Sequence, residues 1–379
     1  MTDLVRQEIA TAATTLVVKV GTRVLTDPAG RLDPERIERL SEQIHRVIEM
    51  GRRVVLVSSG AVGAGMGRLG LGERPCDLAH LQAVAAVGQS VLVEAYERAL
   101  GRHGRHAAQI LLTAEDLNHR TRYLNARNTI LKLLELGAVP VINENDTIAV
   151  DELRTTFGDN DRLAAMVTNL IQAPLLVLLS DVDGLYDGDP SDPASRRIPT
   201  VARLGREIYD LVRDRVSGLS KGGMASKLQA ARLVTIGGES VVIASGHEPD
   251  VLPRIIAGEP VGTLILAKGR TMAARKRWIG FTAQPRGRLV LDAGAREAVE
   301  RRGRSLLAIG VVGIEGRFAK GDVVALIDAA GEEFARGLIN YTSDEIARIQ
   351  GLRTKQIAEA LGHCPYDEVI HRDNMVLTG

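Results

Sequence analysis

Leu16-Val17-Val18-Lys19-Val20-Gly21-Thr22 is an aliphatic run broken by one lysine and closed by Gly-Thr. A short run of branched aliphatic residues bounded by a turn reads as a strand buried on both faces. A buried ammonium is costly unless an anion compensates it, so Lys19 predicts a partner. Only eight of the 48 basic residues are lysine, and this one abuts a glycine turn. A compact charge held for phosphate fits that placement better than an edge lysine snorkelling to water.

Similar runs follow at 54–57, 110–112, 139–142, 175–179 and 241–244. Helical spacing fills the gaps. Asp33-Pro34 has the form of an N-cap with proline at the first helical position, and Ile37, Leu40, Ile44, Val47 and Ile48 then share a face. Comparable patterns cover 78–100, 123–136, 162–171 and 227–236. Strand and helix alternating in this way predict an α/β domain with a mainly parallel sheet and helices on both faces, whose ligands sit beyond the carboxyl ends of the strands.

The chain has 379 residues, enough for two or three domains at roughly 150 residues each. Forty-eight Lys+Arg against 47 Asp+Glu exclude a polycation selected by bulk charge for nucleic acid. With 45% hydrophobic and 25% charged residues, the chain should fold. Uninterrupted apolar stretches of about five residues fall far short of the roughly 20 of a membrane span, and no secretory pattern opens the sequence. The expected setting is cytoplasmic, with no membrane. Cys76 and Cys364 stand alone, so neither a disulfide framework nor a zinc site is expected.

The character changes near residue 266. Eleven Lys/Arg against three acids between 268 and 304 mark a basic stretch, and Pro285-Arg286-Gly287 breaks it. The expected organisation is a domain over 1–266, a basic linker over 267–285 and a small β-rich module over 286–379. Thirteen basic and 14 acidic residues in that module argue against a strong nucleic-acid field.

The chemistry-bearing strings sit at predicted strand ends. Ser58-Ser59-Gly60-Ala61-Val62-Gly63-Ala64-Gly65 opens a helix where small residues would let backbone N–H groups approach an anion. Asn143-Glu144-Asn145-Asp146 and Gly158-Asp159-Asn160-Asp161 each combine amide and carboxylate groups. Singly these are usually caps and turns; together they suit ammonium and amide recognition or a metal. Ser180-Asp181 ends the most apolar strand and reads as a nucleotide-facing turn. Lys221-Gly222-Gly223-Met224-Ala225-Ser226-Lys227 sets two lysines around a diglycine at a helix start, suited to polyphosphate. Gly65, Gly67 and Gly70 match the dinucleotide fingerprint only formally, no Walker-type loop occurs, and His371-Arg372-Asp373 lacks the context of a protein-kinase loop.

Taken in order, these strings, with Ala85-Ala86-Val87-Gly88-Gln89 and Leu124-Asn125-Ala126-Arg127, resemble the amino acid kinase family over nearly the whole chain, in its glutamate-phosphorylating branch. The C-terminal module resembles a PUA domain. The resemblance implies a three-layer α/β/α fold and ATP- and Mg²⁺-dependent phosphorylation of the L-glutamate γ-carboxylate to L-glutamyl 5-phosphate, the first step of proline synthesis. It assigns Lys19, Lys227 and Asp161 to catalysis. Ser59, Gly60, Asn143, Asp146, Asp159 and Asn160 would hold glutamate. Lys19, Ser180, Asp181 and the segment Lys221, Gly222, Gly223, Met224, Ala225, Ser226 and Lys227 would hold ATP.

It further implies proline as an inhibitor at or near the glutamate site, a homo-oligomer (dimer or tetramer) and handover of the product to glutamyl phosphate reductase. Protein ligands for Mg²⁺ are left open. Arg23, Lys221 and a longer stretch between Asp146 and Gly158 depart from several relatives. Two alternatives stay open: another member of the family acting on acetylglutamate, and RNA binding through the PUA-like module, as a main role or a weak contact.

Overall fold

The computed structural model describes residues 3–149, 159–213, 223–267, 274–363 and 365–378. They divide into two compact units, Met1–Thr271 and Met272–Gly379.

In the first unit, helix α1 (Leu4–Ala12) leads into β1 (Thr15–Val20), α2 (Thr22–Leu25), α3 (Pro34–Glu49), β2 (Arg53–Ser58), α4 (Ala61–Leu69), α5 (Leu78–Gly101), β3 (Ala107–Leu112), α6 (Ala114–Asn118), α7 (Arg120–Glu135) and β4 (Val139–Glu144). After the undescribed residues come α8 (Asp159–Ile171), β5 (Leu175–Ser180), β6 (Thr200–Val201), α9 (Arg206–Arg213), α10 (Gly223–Gly237), β7 (Ser240–Ser245), α11 (Val251–Ile256) and β8 (Thr263–Ile265). Among the described residues the strands form one sheet in the order β3-β4-β2-β1-β5-β7-β8-β6. Pairing is parallel throughout except between β7 and β8.

The strand at 15–20 lies at the centre of this sheet, paired on both sides, which accounts for its continuous apolar character. Alternation then assigns its side chains. Leu16, Val18 and Val20 join the core with Ile37, Leu40, Ile44 and Val47 of α3 and Leu92, Tyr96 and Leu100 of α5. Period two turns Lys19 to the opposite layer, where α8 packs on β1. Asp33 caps α3 by accepting from the Glu35 and Arg36 backbone N–H groups, with Pro34 at the first position. Extra strands β6 and β8 and helix α1 were not legible; Arg6 anchors α1 by donating to the carbonyls of Pro199, Val261 and Gly262.

One expectation needs correction. The glycines of α4 were read as room for an anion, yet a Cβ on Gly65 would stand 1.9 Å from the Val84 carbonyl oxygen, and one on Gly88 1.8 Å from that of Ala61. They let α4 and α5 touch backbone to backbone. Gly60, with φ +107°, makes the turn into α4. Helix α5, with 24 residues, is long and apolar enough by length and composition to cross a membrane. Here Leu81, Val84, Leu92 and Leu100 are buried in the unit's core, and Gln89 and Tyr96 meet polar partners.

The second unit comprises α12 (Ala274–Arg277), a π-helical turn (Trp278–Thr282), β9 (Gly287–Leu291), α13 (Ala293–Glu300), β10 (Val311–Gly316), β11 (Val323–Ile327), β12 (Glu333–Leu338), α14 (Ser343–Ile349), α15 (Thr354–Leu361) and β13 (Met375–Leu377). Its sheet runs β10-β9-β11-β12-β13, with β9 and β11 parallel. Leu289, Leu326, Phe334, Tyr341 and Ile346 fill its core. Part of the stretch expected as a linker belongs to this unit: residues 274–282 are helical, and Trp278 and Ile279 are buried.

Candidate active site

Parallel strands bring their carboxyl ends to one edge, and the strings singled out above lie there. Beyond β1, the Gly21 N–H donates to the Leu179 carbonyl at 3.1 Å, and beyond β2 the Ser59 N–H donates to the Val20 carbonyl at 3.2 Å. These bonds carry the sheet ladder one residue past the strands and fix the turns. Lys19, Ser59, Asn143 and Ser180 are thereby set on rigid supports.

Asp161, in the first turn of α8, is almost completely buried at 1% exposure. Its Oδ1 lies 2.6 Å from Lys19 Nζ, and its Oδ2 lies 3.2 Å from Lys227 Nζ and accepts from Ser226 Oγ at 2.8 Å. Lys227 Nζ also donates to the Gly223 carbonyl at 3.1 Å. One carboxylate thus gathers ammonium groups from β1 and α10. Burial alone would push the Asp161 carboxyl up, but the two lysines and the hydroxyl outweigh it and hold the carboxyl below its usual range. For Lys227, burial prevails over the pull of Asp161, and Lys19 adds repulsion, so its pKa lies below the ordinary lysine value. Two cations sharing one anion leave a net positive charge facing the sheet edge, which suits a polyphosphate.

The neighbouring residue builds a second cluster. Asn160 Nδ2 donates to Ser59 Oγ at 3.0 Å and to Asn143 Oδ1 at 3.2 Å. Asn143 Nδ2 donates to Gln89 Oε1 at 2.8 Å. Behind Ser59, Ser58 Oγ and the buried Tyr96 hydroxyl lie 2.9 Å apart. Asp146 is also buried, and burial raises its carboxyl to about 6 against the opposing charge of Arg74. A buried acidic group suits an α-ammonium, and hydroxyl and amide donors suit carboxylates.

Ser180 and Asp181 end β5. Ser180 Oγ donates to Asp181 Oδ1 at 3.0 Å, and Arg23, from α2, reaches Asp181 Oδ2 at 2.8 Å. Burial pushes Asp181 up, but Arg23 and Ser180 hold it below its ordinary value. Met224 and Ala225 lie in the first turn of α10 with Gly223. Lys221 and Gly222 lie outside the described residues, as do Gly158 and most of the stretch between it and Asp146; Asp159 is the first residue of α8. Among the described residues no group of three or more His, Cys, Asp or Glu could hold a metal ion.

Sequence reasoning missed Gln89 and Tyr96 as site-supporting residues. The available signal was spacing: Gln82, Gln89 and Tyr96 lie seven residues apart and therefore on one face of α5. Each meets a different part of this edge, Gln82 through weak 3.5 Å contacts to the Thr147 and Ala149 carbonyls.

Residues 14–245 match the amino acid kinase family, and residues 287–361 match the PUA domain. The chain is 52% identical over 373 residues to a glutamate 5-kinase of Rhodopirellula baltica, covering 98% of this chain and 96% of the relative. Glutamate 5-kinases of Nitrosococcus oceani and Moorella thermoacetica are 49% and 47% identical, covering 95% and 96% of this chain and 96% of each relative.

Proposed function

The chain belongs to the amino acid kinase family and carries a PUA domain, and on that premise we propose that it transfers the γ-phosphoryl group of ATP to the γ-carboxylate of L-glutamate. In this reading, which the glutamate 5-kinase relatives support, the product is L-glutamyl 5-phosphate and enters proline synthesis. The observation that carries this reading is the adjacency of Asn160 and Asp161: one turns to the hydroxyl and amide cluster, the next to the paired lysines. Consecutive α-carbons are about 3.8 Å apart, so one helix start brings an acceptor pocket and a phosphoryl site together.

The γ-carboxylate of glutamate is already ionised at neutral pH, so no base is required. One of its oxygens attacks the γ-phosphorus, a new O–P bond forms, the bond to the bridging oxygen breaks and ADP leaves. The obstacle is repulsion between two anions. Lys19 and Lys227 supply opposing charge where it develops, and Asp161 holds both ammoniums in place before substrate arrives. Ser59, Gly60, Asn143, Asp146, Asp159 and Asn160 orient glutamate; Ser180, Asp181 and the 221–227 segment take the nucleotide. Both oxygens of Asp161 face ammoniums and Asp181 is tied to Arg23. Mg²⁺ is therefore read as entering on the nucleotide phosphates, where it supplies further charge neutralisation.

The test is ADP release from ATP with glutamate, N-acetylglutamate or no acceptor, each with and without proline. Glutamate-dependent release supports the reading. Release with N-acetylglutamate alone overturns it, and insensitivity to proline removes the feedback expectation without touching the reaction.

A further inference from the structure

The amide of Asn143 has one orientation. Its Oδ1 accepts from the Glu144 backbone N–H at 2.9 Å, and a backbone N–H can only donate. Its Nδ2 is therefore directed at Gln89, whose Oε1 must accept. Asn143 Oδ1 also receives Asn160 Nδ2, and the second hydrogen of that nitrogen goes to Ser59 Oγ. Because Ser59 Oγ accepts from Asn160, its single proton is directed elsewhere, toward an acceptor such as a carboxylate. The Glu144 N–H sets the polarity of the whole chain, and the Gln89 oxygen holds the other end of the Asn143 amide in place.

Gln89 is 8% exposed and is rigidly placed. Its neighbour Gly88 lies against the Ala61 carbonyl, which locks α5 to α4, and α4 follows directly from Ser59-Gly60. Its other amide atom, Nε2, is buried without a partner among the described residues. A buried donor left unpaired is costly, and an apolar residue of similar size would avoid that cost. The glutamine is explained by what its oxygen does for Asn143.

We propose that Gln89 is a positioning residue for the acceptor pocket, its oxygen holding the Asn143 amide in the plane from which, through Asn160, the Ser59 proton is presented to a carboxylate-bearing substrate. This rests on the reading of the chain as a glutamate kinase. Gln89 itself does not touch substrate.

The test uses the full chain, with initial rates measured against glutamate at saturating Mg·ATP and against Mg·ATP at saturating glutamate. Gln89→Met is expected to raise the glutamate KM about tenfold, the effect of one unsatisfied buried hydrogen bond, while the ATP KM and kcat move less than about threefold. Gln89→Glu, whose buried carboxyl stays protonated and keeps an oxygen facing Asn143, should recover most of the loss. The double variant Gln89→Met/Asn143→Ala should be no worse than Asn143→Ala alone. An unchanged glutamate KM, equal rises for both substrates, or additive losses would overturn the proposal. If Gln89→Met does not fold, Gln89→Leu takes its place; failure of both to fold also overturns it, since Gln89 would then be a stability residue. A wild-type chain that releases no ADP with glutamate removes the functional reading instead, so the two failures are distinguishable.

Discussion

Lys19 Nζ lies 2.6 Å from Asp161 Oδ1, and the lysine comes from the central strand while the aspartate comes from the first turn of a helix packed on its opposite layer. The other oxygen of the same carboxylate faces Lys227 at 3.2 Å. This geometry makes Asp161 the hinge of the cationic site, since removing it would leave two buried ammoniums facing each other.

Asp161→Asn should therefore lose both activity and stability. Breaking a buried ion pair by removing one partner costs about 3–5 kcal/mol. Because the Asp161 pKa is held below its unfolded value, its contribution is present above the unfolded carboxylate pKa and is lost as pH falls through the lower folded value. Denaturant melts at pH 7 and in the acid range would show the wild-type advantage over Asp161→Asn shrinking toward acid. An advantage that stays constant would contradict the role given to this carboxylate.

Lys227→Ala removes one ammonium and leaves Asp161 paired with Lys19. Turnover should fall by about a hundredfold or more, the usual effect of deleting one group aimed at developing charge. Glutamate affinity, read by calorimetry, should stay within about threefold, because no contact joins Lys227 to the Ser59, Asn143 and Asn160 cluster among the described residues. An unchanged rate would take this lysine out of the mechanism.

Asp146 predicts an acid limb in substrate affinity. Its carboxyl is raised to about 6 by burial, so it becomes neutral as pH falls through that value and no longer attracts an α-ammonium. The glutamate KM should rise below about pH 6, and Asp146→Asn should have a higher KM that no longer changes there. The linkage sign for stability is the reverse of that for Asp161. A raised carboxyl favours the fold below its unfolded pKa and loses that benefit as pH rises through about 6, so Asp146→Asn without substrate should stabilise the chain at pH 8 by up to about 3 kcal/mol. Thermal melts across pH 5–8 check this; a destabilised variant at pH 8 would count against it.

Gly88→Ala adds a methyl group where the Ala61 carbonyl oxygen would be 1.8 Å away. The helices α4 and α5 must separate, at a cost of about 3 kcal/mol or more. Since α4 begins beside Ser59, activity should fall along with the melting temperature. A variant that melts like wild type would mean that the two helices can part freely.

Much of the first unit follows from periodicity. Aliphatic strands, amphipathic helices and the Asp33-Pro34 cap are local features, and their alternation limits the topology to a mainly parallel sheet. The strand-end strings were legible because polar residues at the ends of apolar runs stand out. The terminal strands β6 and β8 were not, since two- and three-residue elements carry too few side chains for any period to register.

Sequence by itself favoured Lys19 as a buried cation in need of an anion, because a scarce lysine inside a run of aliphatic residues and against a glycine turn suits a held charge better than a snorkelling one. It could not determine that the anion is Asp161, or that the same carboxylate also receives Lys227. Which charge meets which depends on where the crossover helices set their first turns, and that is decided by packing over the whole sheet. The same holds for Gln89 and for the glycines at 65 and 88: within α5 and α4 they are one polar residue and two small ones among apolar neighbours, and only the contact of the two helices gives the glutamine an amide to orient and the glycines a backbone to touch.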